Sequence, residues 1–278
     1  MKVGLPTTLF QKDTVENAIK KILKLHPDCI EIVFDIPHFP PDKRRKTEFK
    51  KIRKILADSG VECSVHSCFY ELNLGSFYPQ NRKFALNQAK KCIEFASLIE
   101  AKLVTIHPGY FPIRHDKKLW EEARKRFVED LKQCLNFACK MGVILSLENI
   151  QSKYFFFYRL EDGLDLVKMV DGLKVTFDVG HAYICECEAK TRFPEKRIAK
   201  IVSGKLGKYI SHVHLHDNFG VKDNHLVPGD GKINFKPIID ALKRINFSGQ
   251  IIVEAWNPKK PVNFGFRSLK ITKKILNF

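Results

Sequence analysis

The stretch Lys174-Val175-Thr176-Phe177-Asp178-Val179-Gly180-His181 reads as a short buried strand that runs directly into two metal-capable side chains set around a turn. Apolar and β-branched residues fill its body, and the ionisable residues begin where the body stops. The same layout closes Val61–His66 on His66, Leu103–His107 on His107 and Val143–Glu148 on Glu148. It returns in Ile210–His216, which carries His214 and His216, and in Ile251–Glu254. Six strands that each deliver ionisable groups at the carboxyl end match a barrel, whose parallel strands converge with those ends on one face.

Outward from these runs, β-type segments alternate with amphipathic ones along the whole chain. Val3–Leu5 reads as a first strand followed by a helix near Thr14–Leu25, and Cys29–Phe34 as a second strand followed by a helix over Asp42–Ala57. Later helices are expected over Arg82–Ile99, Lys118–Lys140, Asp162–Val170, Phe235–Ile245 and Phe264–Leu276, and the connection between Asp178 and Ile210 is expected to be partly helical. Alternation of this kind argues for a parallel sheet with crossover helices. Eight units in 278 residues match an α/β (β/α)8 TIM barrel, and no linker or low-complexity stretch divides residues 1–278, so one domain is expected.

Composition narrows the function less than the strand ends do. The formal charge of +17, from 48 Lys+Arg against 31 Asp+Glu, is compatible with a phosphate-rich partner. Much of that excess lies in runs such as Lys43-Arg44-Arg45-Lys46 and Lys50-Lys51-Ile52-Arg53-Lys54, which read as solvated helix faces, so it carries modest weight toward nucleic acid. The eight cysteines include no CxxC pair, which excludes a zinc-finger reading and makes them small packing residues. The opening MKVGLPTTLFQKDT has no signal-peptide core and no later run approaches a membrane span, so a cytoplasmic protein without a membrane partner is expected.

The chemistry lies in nine side chains: His66, His107, Glu148, Asp178, His181, His214, Asp223, His225 and Glu254. Imidazole and carboxylate without thiolate suit Zn2+ or Mn2+. Nine groups exceed the needs of one ion, and at about four ligands per zinc with bridging carboxylates they suit two or three.

The blocks Val65-His66-Ser67, His107-Pro108-Gly109, Leu147-Glu148-Asn149, Phe177-Asp178-Val179-Gly180-His181, His214-Leu215-His216-Asp217, Asp223-Asn224-His225 and Val253-Glu254 resemble those of the endonuclease IV and xylose isomerase-like barrel superfamily. The resemblance implies a four-ligand core of Glu148, Asp178, His214 and Glu254, shared with the single-metal sugar isomerases and epimerases. There Glu148 and Glu254 are the catalytic carboxylates that shuttle protons at a ketose. It implies equally that His66, His107, His181, Asp223 and His225 are the five further ligands of an endonuclease IV-type zinc cluster. The first strand, Lys2-Val3-Gly4-Leu5-Pro6, departs from the Gly-Ala-His-like opening of the endonucleases.

On the strength of those five, the leading expectation is a metal-dependent phosphodiester hydrolase with a multinuclear zinc or manganese centre and abasic-site duplex DNA as partner. The alternative is a single-metal isomerase or epimerase acting on a small sugar or sugar phosphate. Asn149, Arg114 and His216 are the expected substrate-side residues, with support of the ligands the favoured role for His216 and a structural hydrogen bond equally open to Asn149. The aromatic run Tyr154-Phe155-Phe156-Phe157-Tyr158 is expected on the active-site face, as a substrate cover or as rim packing.

Overall fold

A computed structural model describes residues 1–40 and 46–277. Eight strands follow one another around a closed, wholly parallel barrel: β1 (Lys2–Pro6), β2 (Cys29–Val33), β3 (Glu62–His66), β4 (Leu103–Ile106), β5 (Ile144–Glu148), β6 (Lys174–Asp178), β7 (Ile210–Leu215) and β8 (Gln250–Val253). Strand β8 pairs back onto β1, with Val3 beside Ile251, so the sheet has no open edge. Helices α1 (Val15–Leu23), α2 (Lys46–Ser59), α3 (Pro79–Leu98), α4 (Lys117–Lys140), α5 (Leu160–Met169), α6 (Val179–Glu188), α7 (Pro194–Ile201), α8 (Phe235–Arg244) and α9 (Pro261–Leu276) surround it.

The expected (β/α)8 architecture is what the chain adopts, and two helix starts that moved by three residues did so for one reason. Helices α3 and α9 start at Pro79 and Pro261, ahead of the expected Arg82 and Phe264, because proline at the first helical position has its φ preset and lacks only an N–H that would be unpaired there. The expected start of α2 at Asp42, with Lys43, Arg44 and Arg45, lies outside the described residues. The long connection after β6 holds α6 and α7, and α6 begins at once because Asp178 caps it, its Oδ1 accepting the His181 N–H at 2.6 Å.

Side-chain alternation splits each strand between two cores. Ile30, Ile32, Val65, Val104, Leu145, Leu147, Val175 and Phe177 are buried in the apolar core. The alternate residues face the barrel axis and are polar: Glu31, Ser64, Thr105, Ser146, Thr176 and His212 are all fully or almost fully buried. They bond across the axis, Thr105 to Thr176 at 3.0 Å, Thr176 to Ser146 at 2.8 Å, and His212 to Glu31 at 3.0 Å. A barrel axis is more often filled by branched apolar side chains. Here a hydrogen-bonded polar column underlies the strand ends. The cysteines pack as expected, six of the eight being buried.

Candidate metal centre

The nine ligand-type residues meet at the carboxyl mouth because the strands end level there. A register shift between Val175 and Thr176 sets Thr176 beside His212 and Asp178 beside His214. Glu148, Asp178, His214 and Glu254 then offer ligand atoms that all lie within 4.8 Å of one another. His214 Nδ1 is 3.0 Å from Glu148 Oε1 and 3.5 Å from Glu254 Oε1. His66 Nε2 and His107 Nε2 each stand 3.2 Å from Glu148 Oε2. On the other side, Asp223 Oδ2 lies 3.3 Å from His181 Nε2 and 3.1 Å from His225 Nε2, and accepts a hydrogen bond from Gln151 Nε2 at 3.1 Å.

Backbone carbonyls set which ring nitrogen faces inward. His66, His181 and His225 place Nδ1 at 2.8, 2.9 and 2.7 Å from the carbonyls of Ser67, Asn149 and Glu254. With the proton on Nδ1, each ring turns an Nε2 lone pair toward a carboxylate oxygen. Two electron-rich atoms hold that approach only with a cation between them or a second proton on the ring. His225 is also held at φ 47°, a left-handed conformation rare for a residue with a Cβ, while its carbonyl accepts the Trp256 N–H at 3.0 Å.

Electrostatics show the same demand. Burial opposes the charged form of Glu148, yet the His214 charge and the hydrogen bonds from His107, His214 and His66 hold its carboxyl well below the usual range. Asp178, also opposed by burial, is lowered by the charges of His181 and His216, and Asp223 by hydrogen bonds from His181 and His225. Burial works against protonation of His181, but Asp178 and Asp223 push it up to about 10. His66 rises to about 9 against the same burial through Glu148, and His225 to about 9 through Asp223 and Glu254. His107 moves down, because there burial outweighs Glu148. Asp178 Oδ2 is buried without a hydrogen-bond partner. A set of carboxylates and inward lone pairs that must otherwise be neutralised by protons has the donor chemistry of a divalent-cation site.

The expected substrate-side residues divide. Asn149 is fully buried and spends its amide on the Asp178 backbone, donating to the carbonyl at 2.9 Å and accepting from the N–H at 2.9 Å, so it clamps β5 to β6. His216 is fully buried between Asp178 and Asp223, its Nε2 3.4 Å from each, and stacks on His225 with centroids 4.1 Å apart. Gly180 permits this, because a Cβ there would stand 2.0 Å from the His216 ring. Arg114 does not line the mouth: its guanidinium lies 5.0 Å from the Trp120 ring centroid and bonds the Lys153 carbonyl. The aromatic run also splits, with Phe156, Phe157 and Tyr158 buried and Phe155 on the cavity wall.

Two features escaped the sequence reading. Glu31, in the middle of β2, has Oε2 3.0 Å from His212 Nε2 and Oε1 3.1 Å from His214 Nε2, the latter without the alignment of a full hydrogen bond. Its signal was an acidic residue inside an otherwise apolar strand. The second is a cavity of about 550 Å3 above the core, walled by Phe69, Tyr70, Tyr110, Phe155 and Trp256. Among the described residues that line it there is no lysine or arginine.

Fold and site together define a (β/α)8 barrel with a histidine–carboxylate centre at its carboxyl mouth. The chain belongs to the xylose isomerase-like TIM barrel family, whose profile matches residues 13–273. It is 30% identical over 283 residues to an uncharacterized protein of Methanocaldococcus jannaschii, covering 99% of this chain and 89% of that one. It is 27% identical over 247 residues to the D-psicose 3-epimerase of Ruminiclostridium cellulolyticum, covering 85% and 76%. A solved D-tagatose 3-epimerase-like protein superposes with a TM-score of 0.84 at 29% identity, covering 100% of this chain and 97% of that one.

These relatives overturn the expectation of an endonuclease IV-type hydrolase acting on abasic-site DNA, since the named activities found along nearly the whole chain are those of sugar epimerases. The physical reason is that imidazoles and carboxylates at a barrel mouth bind sugar hydroxyls as readily as extra metal ions. Counting them therefore does not separate the two chemistries. Among the described residues no helix is long and apolar enough to cross a membrane.

Proposed function

We propose that this chain is a metal-dependent isomerase that epimerises a ketose at the carbon beside its carbonyl. The observation that carries the reading is the pair Glu148 and Glu254, brought from β5 and the end of β8 to one His214 nitrogen, at 3.0 and 3.5 Å. The kinship with the D-psicose and D-tagatose 3-epimerase-like proteins supports it. Glu148, Asp178, His214 and Glu254 would hold one divalent cation, Zn2+ or Mn2+ being suited to these donors. Such an ion supplies Lewis acidity toward the ketose oxygens.

The protein's own groups do the rest. One of the two carboxylates takes the proton from carbon 3, leaving the electron pair delocalised onto the carbonyl oxygen at carbon 2. The other group enters the step as a carboxylic acid, gives its proton to the opposite face of carbon 3 and becomes the carboxylate, so the configuration inverts, the pair exchanges protonation states, and exchange with solvent resets it. His66, His107, His181 and His225 line the cavity and orient hydroxyl groups. The test is incubation of the metal-loaded protein with ketohexoses in D2O. Deuterium should enter at carbon 3 with inversion, and Glu148→Gln and Glu254→Gln should each lose that exchange by at least about a hundredfold. Exchange that survives both substitutions would overturn the assignment.

A further inference from the structure

The cavity is larger and more aromatic than a free hexose requires. A ketohexose has twelve non-hydrogen atoms, which at no more than about 30 Å3 each fill at most about 360 Å3. The cavity measures about 550 Å3. The buried His66, Glu148 and His181 mark its inner end, the exposed Tyr70, Tyr110 and Trp256 mark the end toward solvent, and the half-buried Phe69 and Phe155 also line it. Tyr70, Tyr110 and Trp256 remain 54%, 39% and 47% exposed, so large ring faces stand uncovered at the rim.

The backbone that carries these rings is held in place. The buried Asp35 carboxylate accepts the N–H groups of Phe69 at 2.7 Å and Tyr70 at 3.1 Å. Asn73 clamps Tyr110 from both sides, accepting its N–H and donating to its carbonyl, both at 2.9 Å. Phe155 packs against Tyr110 with centroids 5.5 Å apart. The Trp256 backbone N–H donates to the His225 carbonyl at 3.0 Å. Uncovered aromatic faces carried on an anchored backbone favour flat apolar partners.

We infer that the outer part of the cavity is a subsite for an aromatic substituent, so that the substrate is a ketose carrying an aryl group at the end away from its carbonyl. This rests on the ketose reading of the floor, and it names what the remaining volume receives. Aromatic contacts of this kind are worth about two- to tenfold in affinity.

The experiment compares D-psicose with its 6-O-benzyl ether on the metal-loaded protein, by calorimetric binding and by kcat/KM. The benzyl ether should bind about fivefold tighter or better, and the ratio between the two ligands should fall toward one in Trp256→Ala and Tyr70→Ala while Trp256→Phe retains it. Equal binding and equal turnover of the two sugars would overturn the subsite and leave the epimerase reading intact. Tighter binding of the benzyl ether that Trp256→Ala abolishes, with no epimerisation of either sugar, would uphold the subsite and overturn the epimerase reading. A preference that persists in both alanine variants would overturn the subsite.

Discussion

Replacing Glu31 with glutamine perturbs the centre without touching the cavity. Glu31 is fully buried, accepts from Ser64 Oγ at 3.1 Å and His212 Nε2 at 3.0 Å, and faces His214 Nε2 at 3.1 Å. The carboxylate favours a proton on His214 Nε2, which leaves the Nδ1 lone pair aimed at the Glu148 and Glu254 carboxylates. An amide of the same size can turn a donor toward Nε2 and so favour the other tautomer. Loss of such a supporting carboxylate weakens metal binding by about 10- to 100-fold, or about 1.4–2.7 kcal/mol. Glu31→Ala is harsher, since it strands His212 and His214 and costs about 3–5 kcal/mol of folding stability. At about 2–4 °C per kcal/mol for a chain of this size class, that lowers the melting temperature by roughly 6–20 °C. Competition against a fluorescent chelator, on protein whose near-ultraviolet circular dichroism is unchanged, measures the first effect. Folded Glu31→Gln that binds Zn2+ or Mn2+ within twofold of the parent would refute the tautomer argument.

Further outcomes follow from the same geometry. Metal-free protein should lose stability as pH rises from the unfolded histidine value near 6.5 through the folded values of about 9 to 10, since the folded state keeps protons on His66, His181 and His225 that the unfolded chain releases. Melting curves with chelator should show this decline, and a flat or rising profile would contradict the charge state assigned to these rings. Metal-loaded protein should decline less, because the ion replaces the protons. Gly180→Ala places a Cβ 2.0–2.5 Å from three atoms of the His216 ring, so it should cost about 1–3 kcal/mol and displace that ring, measurable by denaturant unfolding and a crystal structure. Asp217→Ala removes the acceptor for the N–H groups of Asn218, Gly229, Gly231 and Ile233, and hydrogen exchange should quicken across residues 218–233 while β1–β5 keep their protection.

The fold was legible because its signals are local. Each strand writes its own alternation, six of the eight add a terminal ionisable residue, and each helix writes its period, so eight units can be counted without knowing what touches what. The helix starts that moved furthest among the described residues were those where Pro79 and Pro261 carried a capping signal that periodicity does not register. Glu31 was different. Its partner His212 is 181 residues away, and the two meet only because the sheet closes on itself. Nothing around Glu31 separates a barrel-axis carboxylate from an edge-strand charge. Asn149 shows the converse: beside a ligand it reads as a substrate contact, whereas its partner is the backbone of the next strand.

The same distinction explains why the ligand count pointed to the wrong chemistry. His181, Asp223 and His225 form a compact triad, with both ring nitrogens near 3 Å from one carboxylate oxygen. That geometry fixes a requirement for positive charge or donated protons, and no more. A metal ion, a pair of ring protons or the hydroxyl of a bound sugar each meets it, and residue identity is the same in all three cases. What differs between a phosphodiesterase and a sugar epimerase is the surface around the centre. A duplex needs an extended cationic track. This mouth instead presents Tyr70, Tyr110 and Trp256 around a bowl open to solvent, whose described lining has four carboxylates, Glu71, Glu148, Asp223 and Glu254, and no lysine or arginine. Those aromatics lie in loops after β3, β4 and β8, and no periodicity marks such positions as neighbours. The discriminating information was thus in the residues with the weakest sequence signal, while the ligand-type residues, with the strongest, have a donor chemistry that suits either reaction.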